Sequence, residues 1–160
     1  MDDIEPLEPA MWFRAIARLE HRRVRSTEDE LDRLLRHAFH LIQLAPCPLR
    51  SIIRSELSEE RFEMLLESQA QESAAVGLVG QPMRYGLVRL TTGHFEAKVW
   101  LKDSVEPTTA HSTSWASALL GAWTQSIVSL ETRAAQLDLN NPHPGLHKAR
   151  YARRPPQIEH

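Results

Sequence analysis

Histidines and a single cysteine are the side chains of this chain whose spacing could support chemistry. His37 and His40 stand at positions i and i+3 of a predicted helix, and with His21 or Cys47 they could ligate a metal ion. Cys47, between two prolines, could instead act as a nucleophile assisted by a histidine. Such histidines are more often solvated or partly buried, and a lone cysteine usually packs as a small apolar residue. We therefore predict no metal site, no cofactor and no catalytic residue.

Short catalytic motifs are absent from the sequence. Gly77, Gly80 and Gly86 lack the lysine and the following helix of a phosphate-binding loop. No Gly-x-Ser-x-Gly segment is present to form a serine nucleophile elbow. The sequence therefore favours a non-catalytic protein, and a small enzyme with an unrecognised pocket is one alternative.

The composition is that of an ordinary globular chain. It has 160 residues, of which 42% are hydrophobic and 25% charged, with a net charge of −2. This supports one core and argues against a polycationic or polyanionic protein. The acidic N-terminus does not match a secretory signal, and no apolar stretch is long enough to span a membrane. We predict a soluble cytoplasmic protein with one domain over 1–141 and an extended or mobile basic tail over 142–160.

Apolar spacing and capping residues predict a helical N-terminal third. Pro9 suits the first turn of a helix, and Thr27 with Glu30 forms a capping-box pattern for the next one. Ser58, followed by two glutamates, begins a further helix. Near the other end, a long apolar stripe predicts a helix over about 114–137.

The middle of the chain predicts a small antiparallel sheet. We expect strands near 74–80, 83–91 and 94–101, and an irregular loop over the polar segment KDSVEPTTAH that follows. Strands in an unbroken run with helices on either side indicate an α+β fold. The long C-terminal helix would pack on the apolar face of the sheet.

The hairpin 83–101 also provides the candidate binding surface. A turn centred on Thr92-Gly93, of two or four residues, would place one set of pairs on the face away from the apolar one: Tyr85–Trp100, Leu87–Lys98 and Arg89–Glu96. Aromatic residues and arginine are enriched at interface hot spots, so we predict a protein–protein interface here, with another protein or within a homodimer. The competing interpretation is that the N-terminal helices cover this face and make Tyr85 and Trp100 part of the core.

Clusters of basic residues suggest nucleic acid as an alternative partner. They are Arg22, Arg23 and Arg25 at the end of the first helix, and Lys148, Arg150, Arg153 and Arg154 in the tail. Acidic residues close to the first cluster weaken its field. The leading prediction therefore remains a non-catalytic binding or regulatory protein.

From Ser58 onward the predicted order helix, strand, strand, strand, helix resembles the double-stranded-RNA-binding domain. That family carries a lysine cluster at the start of its last helix, which reaches phosphates across a groove. Here that position reads HSTSWA over residues 111–116, and no lysine or arginine follows before Arg133. The resemblance implies an element order without the residues that would bind RNA, and we do not infer membership.

Overall fold

The computed structural model describes residues 4–47, 49–81, 83–102, 104 and 106–140, with side chains described up to residue 133. The chain forms α1 (Pro9–Arg25), α2 (Leu31–Gln43), α3 (Leu49–Ile52), α4 (Glu59–Glu67), α5 (Gln71–Val79), β1 (Met83–Arg89), β2 (Phe95–Leu101), β3 (Thr108–Ser112) and α6 (Trp115–Asn140). The predicted α+β class is confirmed, with a helical N-terminal third and a long helix against an antiparallel sheet. The predicted tail, 142–160, lies outside the described residues.

Capping residues set the starts of the N-terminal helices. Pro9 occupies the first position of α1. The Glu30 carboxylate accepts a hydrogen bond from the Thr27 backbone N–H at 3.3 Å, in the single 3₁₀ turn that leads into α2. Ser58 Oγ accepts one from the Arg61 N–H at 3.2 Å and begins α4. All three helix starts are confirmed: the first depends on the backbone angle that proline fixes, and the other two on a local hydrogen bond that the sequence specifies.

The prediction of a strand near 74–80 is wrong: residues 74–79 belong to the helix α5, and Gly80 is its C-cap. Helix α5 is surrounded by α2, α4 and α6, so its apolar residues do not form a one-sided stripe. A short segment that is apolar on all sides has no period that separates a helix from a strand. Gly77 allows close packing here, since a Cβ at this position would overlap the Leu57 side chain.

The third strand, β3, lies in the segment predicted to be an irregular loop. It pairs antiparallel with β2, opposing Ala110 to Ala97 and Ser112 to Phe95. Within β3 only Ala110 is buried, so the strand shows no alternation of apolar and polar residues. The local sequence does not indicate a strand here, so its extended conformation depends on pairing with β2.

The predicted hairpin is confirmed, but its predicted register is wrong by one residue. The Leu90 N–H donates to the His94 carbonyl at 2.8 Å and the Gly93 N–H to the Leu90 carbonyl at 3.1 Å, so the turn contains residues 91–93. Gly93 has φ +83°, the left-handed conformation of the last residue in a three-residue hairpin turn. An odd-numbered turn shifts the pairing, so Leu87 opposes Ala97 and Tyr85 opposes Val99.

Helix α6 is the centre of the packing. One side of it lies on β2 and β3, and other parts of its surface contact α1 and α5. Trp123 and Ile127 of α6 are fully buried, as are Trp12 and Ile16 of α1. The Trp12 indole N–H donates to the Leu41 carbonyl at 2.7 Å, which ties α1 to α2. No helix among the described residues has the length and apolar character needed to cross a membrane.

Candidate functional site

The sheet has an inner face, toward α6, and an outer face. Ala97 and Val99 of β2 are fully buried and define the inner face. Because strand side chains alternate, the outer face consists of Arg84, Gly86, Val88, Glu96, Lys98, Trp100, Thr109 and His111. This outer face is the candidate functional site.

The predicted partner-binding residues do not share one face. Three of them lie on the outer face: Glu96, Lys98 and Trp100. The other three lie on the inner side of β1: Tyr85, Leu87 and Arg89. Their predicted grouping on one face is wrong because the three-residue turn reverses the faces of β1 relative to β2. The actual cross-strand neighbours on the outer face are Arg84 with Trp100, Gly86 with Lys98 and Val88 with Glu96.

No described helix covers the outer face. Val88 is 50% exposed, and Arg84 and His111 are also exposed. Trp100 is half-buried, and its ring leans over Gly86: a Cβ there would lie 3.9 Å from the distal edge of the indole. Helices α1 and α5 pack on α6, on the other side of the sheet. Within the described residues, the interpretation that early helices make Trp100 part of the core is therefore wrong.

A row of polar side chains, Lys98, Glu96 and His111, crosses the outer face. The Lys98 ammonium lies 3.1 Å from one Glu96 carboxylate oxygen, and His111 Nε2 lies 3.0 Å from the other. Hydrogen bonds from Lys98 and then His111 lower the pKa of Glu96. Glu96 is therefore ionised at neutral pH, while Arg84 adds a positive charge at the other end of the face.

Arg23, a predicted nucleic-acid-binding residue, is instead part of a buried network. It is 8% exposed, and its Nε and Nη2 each donate to Glu20 at 2.8 Å. Thr124 and Gln125 of α6 also donate to Glu20, at 2.7 and 3.0 Å. Burial acts to raise the pKa of Glu20, but the hydrogen bonds from Arg23, Gln125 and Thr124 together lower it. This network attaches α1 to α6, and its arginine does not face solvent.

The other predicted basic residues are not brought together among the described residues. Arg22 and Arg25 are exposed on α1. The remaining four lie outside the described residues: Lys148, Arg150, Arg153 and Arg154. Nucleic-acid binding therefore stays a prediction.

The histidines and the cysteine considered for chemistry are separate from the sheet surface. His37 is half-buried, and desolvation, followed by the charges of Arg22 and His40, lowers its pKa. His40 and Cys47 are exposed. In the part of the chain that the structure describes, no three His, Cys, Asp or Glu side chains are grouped to hold a metal ion.

Sequence reasoning missed Arg84, Val88 and His111 as members of the outer face. One signal could have placed the first two, because glycine as the third residue of a Thr-Thr-Gly turn is typical of three-residue hairpins. No comparable signal exists for His111, because it lies beside Glu96 only when β3 pairs with β2. Comparison with protein-family models, with curated proteins and with solved structures finds no match.

Proposed function

We propose that this chain is a non-catalytic binding or regulatory protein that uses the outer face as a protein–protein interface. A second copy of the chain is the first partner to test. The observation that carries the proposal is the absence of any described helix over a sheet face with Trp100 and Val88 at its surface. An antiparallel sheet with one solvated face usually carries polar residues there, so an aromatic and an aliphatic residue together are the informative feature.

The chemistry of the outer face suits association. Trp100 offers a large, rigid apolar surface, and tryptophan is among the residues most enriched at interface hot spots. Glu96 already has Lys98 at 3.1 Å and His111 at 3.0 Å, so its charge has partners on the outer face. The face carries charges of both signs, and no single-sign field opposes self-association. Three short strands provide a small area, which is typical of weak and transient complexes.

The test is the molecular mass of the protein over a concentration series, measured by sedimentation equilibrium. Val88→Glu places a charge within the outer face, and Val24→Glu on α1 is its matched control because Val24 is 69% exposed. In a two-fold dimer each substitution acts twice. We expect the wild type and V24E to associate equally, and V88E to lose about 2 kcal/mol or more, roughly a 30-fold weaker association.

Two outcomes would contradict the proposal at different levels. A monomer at every concentration refutes self-association, and the same three proteins then serve as baits for another partner. If V88E and V24E retain every partner that the wild type binds, the outer face is not the interface.

The exposed free thiol of Cys47 suits a reducing compartment, and we also propose a cytoplasmic location.

A further inference from the structure

The free edge of β1 presents unpaired backbone groups. In the described sheet β1 has a single neighbouring strand, β2. Along an antiparallel strand, every second residue directs its N–H and C=O groups toward the neighbouring strand. Because Leu90 donates to His94, the residues of β1 that face β2 in this way are Val88, Gly86 and Arg84. The N–H and C=O groups of Tyr85 and Leu87 consequently point to the open edge.

A groove with both apolar and polar lining residues runs beside this edge, between β1 and α5. One part, of about 380 Å³, is lined by Leu87 together with Trp115 and Leu119 of α6. A second part, of about 620 Å³, is lined by Tyr85 and Leu65 and also by two residues of opposite charge, Glu56 and Arg61. Val76 of α5 lines both parts and therefore lies between them. Tyr85 is 43% exposed, so the inner face is incompletely covered at this strand.

We propose that the β1 edge and this groove bind an extended segment of another protein, which adds a fourth strand to the sheet. A strand paired with β1 would satisfy the open N–H and C=O groups of Tyr85 and Leu87. Its residues beside those two would point to the inner face, about 7 Å apart along the strand. Two apolar side chains at alternate positions would then enter the two parts of the groove.

The charges around the groove define the segment further. Arg89 follows Leu87 on the inner face; it is exposed, and its guanidinium lies 5.9 Å from the Phe95 ring centroid. An acidic residue two positions beyond the second apolar residue would lie beside Arg89. Glu72 lines the Leu87 part of the groove and disfavours an acidic residue there. The expected segment has two apolar residues at alternate positions and an acidic one at the next alternate position.

A slender segment fits this edge better than a second copy of the chain. Helix α5 lies beside β1 on the inner side of the sheet. If β1 paired with the β1 of a second copy, each copy would bring its α5 to the same side of the shared strands. A single extended segment brings no helix. The β1 edge is separate from the outer face, and this inference does not rest on the proposed function.

The test is selection of random dodecapeptides, displayed on phage, against the full-length protein. We expect enriched peptides with the alternating apolar, apolar, acidic pattern. A synthetic peptide of the enriched sequence should bind Val76→Glu at least tenfold more weakly than the wild type. Val24→Glu on α1 and His111→Ala on the outer face of β3, the strand farthest from the β1 edge, should bind it within twofold of the wild type, which separates this surface from the outer face.

Backbone measurements distinguish strand addition from simple occupation of the groove. The same peptide with N-methyl groups on its pairing amides should lose at least tenfold in affinity, and this comparison leaves the protein unchanged. The Tyr85 and Leu87 amides should exchange with solvent at least tenfold more slowly when the peptide is bound. The inference would be overturned if no peptide is enriched, or if the enriched peptides lack the alternation. It would also be overturned by unchanged affinity for V76E, by unchanged affinity of the N-methylated peptide, or by unchanged exchange of the Tyr85 and Leu87 amides.

Discussion

Substituting Gly121 by alanine should destabilise the protein, although alanine is the better helix former. In an ordinary helix interior this change stabilises by about 1 kcal/mol. Here the added Cβ would lie 2.5 Å from Arg23 Cζ and 2.7 Å from its Nε, so the guanidinium must move. That group is held by both Glu20 oxygens at 2.8 Å. Losing one charge-assisted bond costs about 1.5–3 kcal/mol, and subtracting the gain of about 1 kcal/mol leaves a net destabilisation of about 0.5–2 kcal/mol.

The assay is urea unfolding of four proteins in a double-mutant design. Gly121→Ala is made in the wild type and in a background that carries Arg23→Ala with Glu20→Gln, so that no unpaired buried carboxylate remains. In that background the clash is absent, and G121A should stabilise by about 1 kcal/mol. The sign of the effect should therefore reverse between the two backgrounds. If G121A stabilises the wild type as well, the guanidinium is not held in place and the reasoning is refuted.

Two further predictions concern pH and the hairpin turn. The pKa of Glu20 is lowered in the folded protein, so its ionised form contributes stability that is present above the ordinary value of 4.5 and lost as pH falls through the lowered pKa. Glu20→Gln should reduce the stability near neutral pH and make the loss of stability in acid less steep, as measured by urea midpoints over a pH series. If the stability of the variant falls in acid as steeply as that of the wild type, the prediction is contradicted. Gly93→Ala should cost about 1–2 kcal/mol because φ is +83°, and Gly93→Asn should cost less; equal thermal stability of G93A and the wild type would show that the turn differs.

The parts of the fold that local chemistry determines were predictable from the sequence. Ser58 and Glu30 form hydrogen bonds within one helical turn, so the starts of α4 and α2 could be predicted. The helical state of residues 74–79 depends on α5 being enclosed by other helices, so the apolar residues show no periodicity that would distinguish a helix from a strand. The strand β3 depends on pairing with β2, a contact between distant residues.

The candidate site was predictable only in part, because its composition depends on the length of the turn between β1 and β2. The alternation of residues in the hairpin indicates two chemically different faces, but it does not say whether helices cover the second one. The side of β1 that faces solvent depends on whether the turn has an even or an odd number of residues, and Gly93 in the left-handed conformation makes it odd. An even-numbered turn therefore predicts the correct face for Trp100 on β2 and the wrong face for Tyr85 and Leu87 on β1.

The measurement that most directly tests the central claim is the NMR signal of the Trp100 indole N–H, recorded with a soluble paramagnetic agent across a concentration series. The outer face is open in the isolated chain, so this signal should broaden strongly in dilute protein. Association through the outer face should protect it as the concentration rises, while the buried Trp123 indole stays protected throughout. Protection of Trp100 in dilute protein would mean that the chain itself covers this face. Equal broadening at every concentration would contradict its use in self-association.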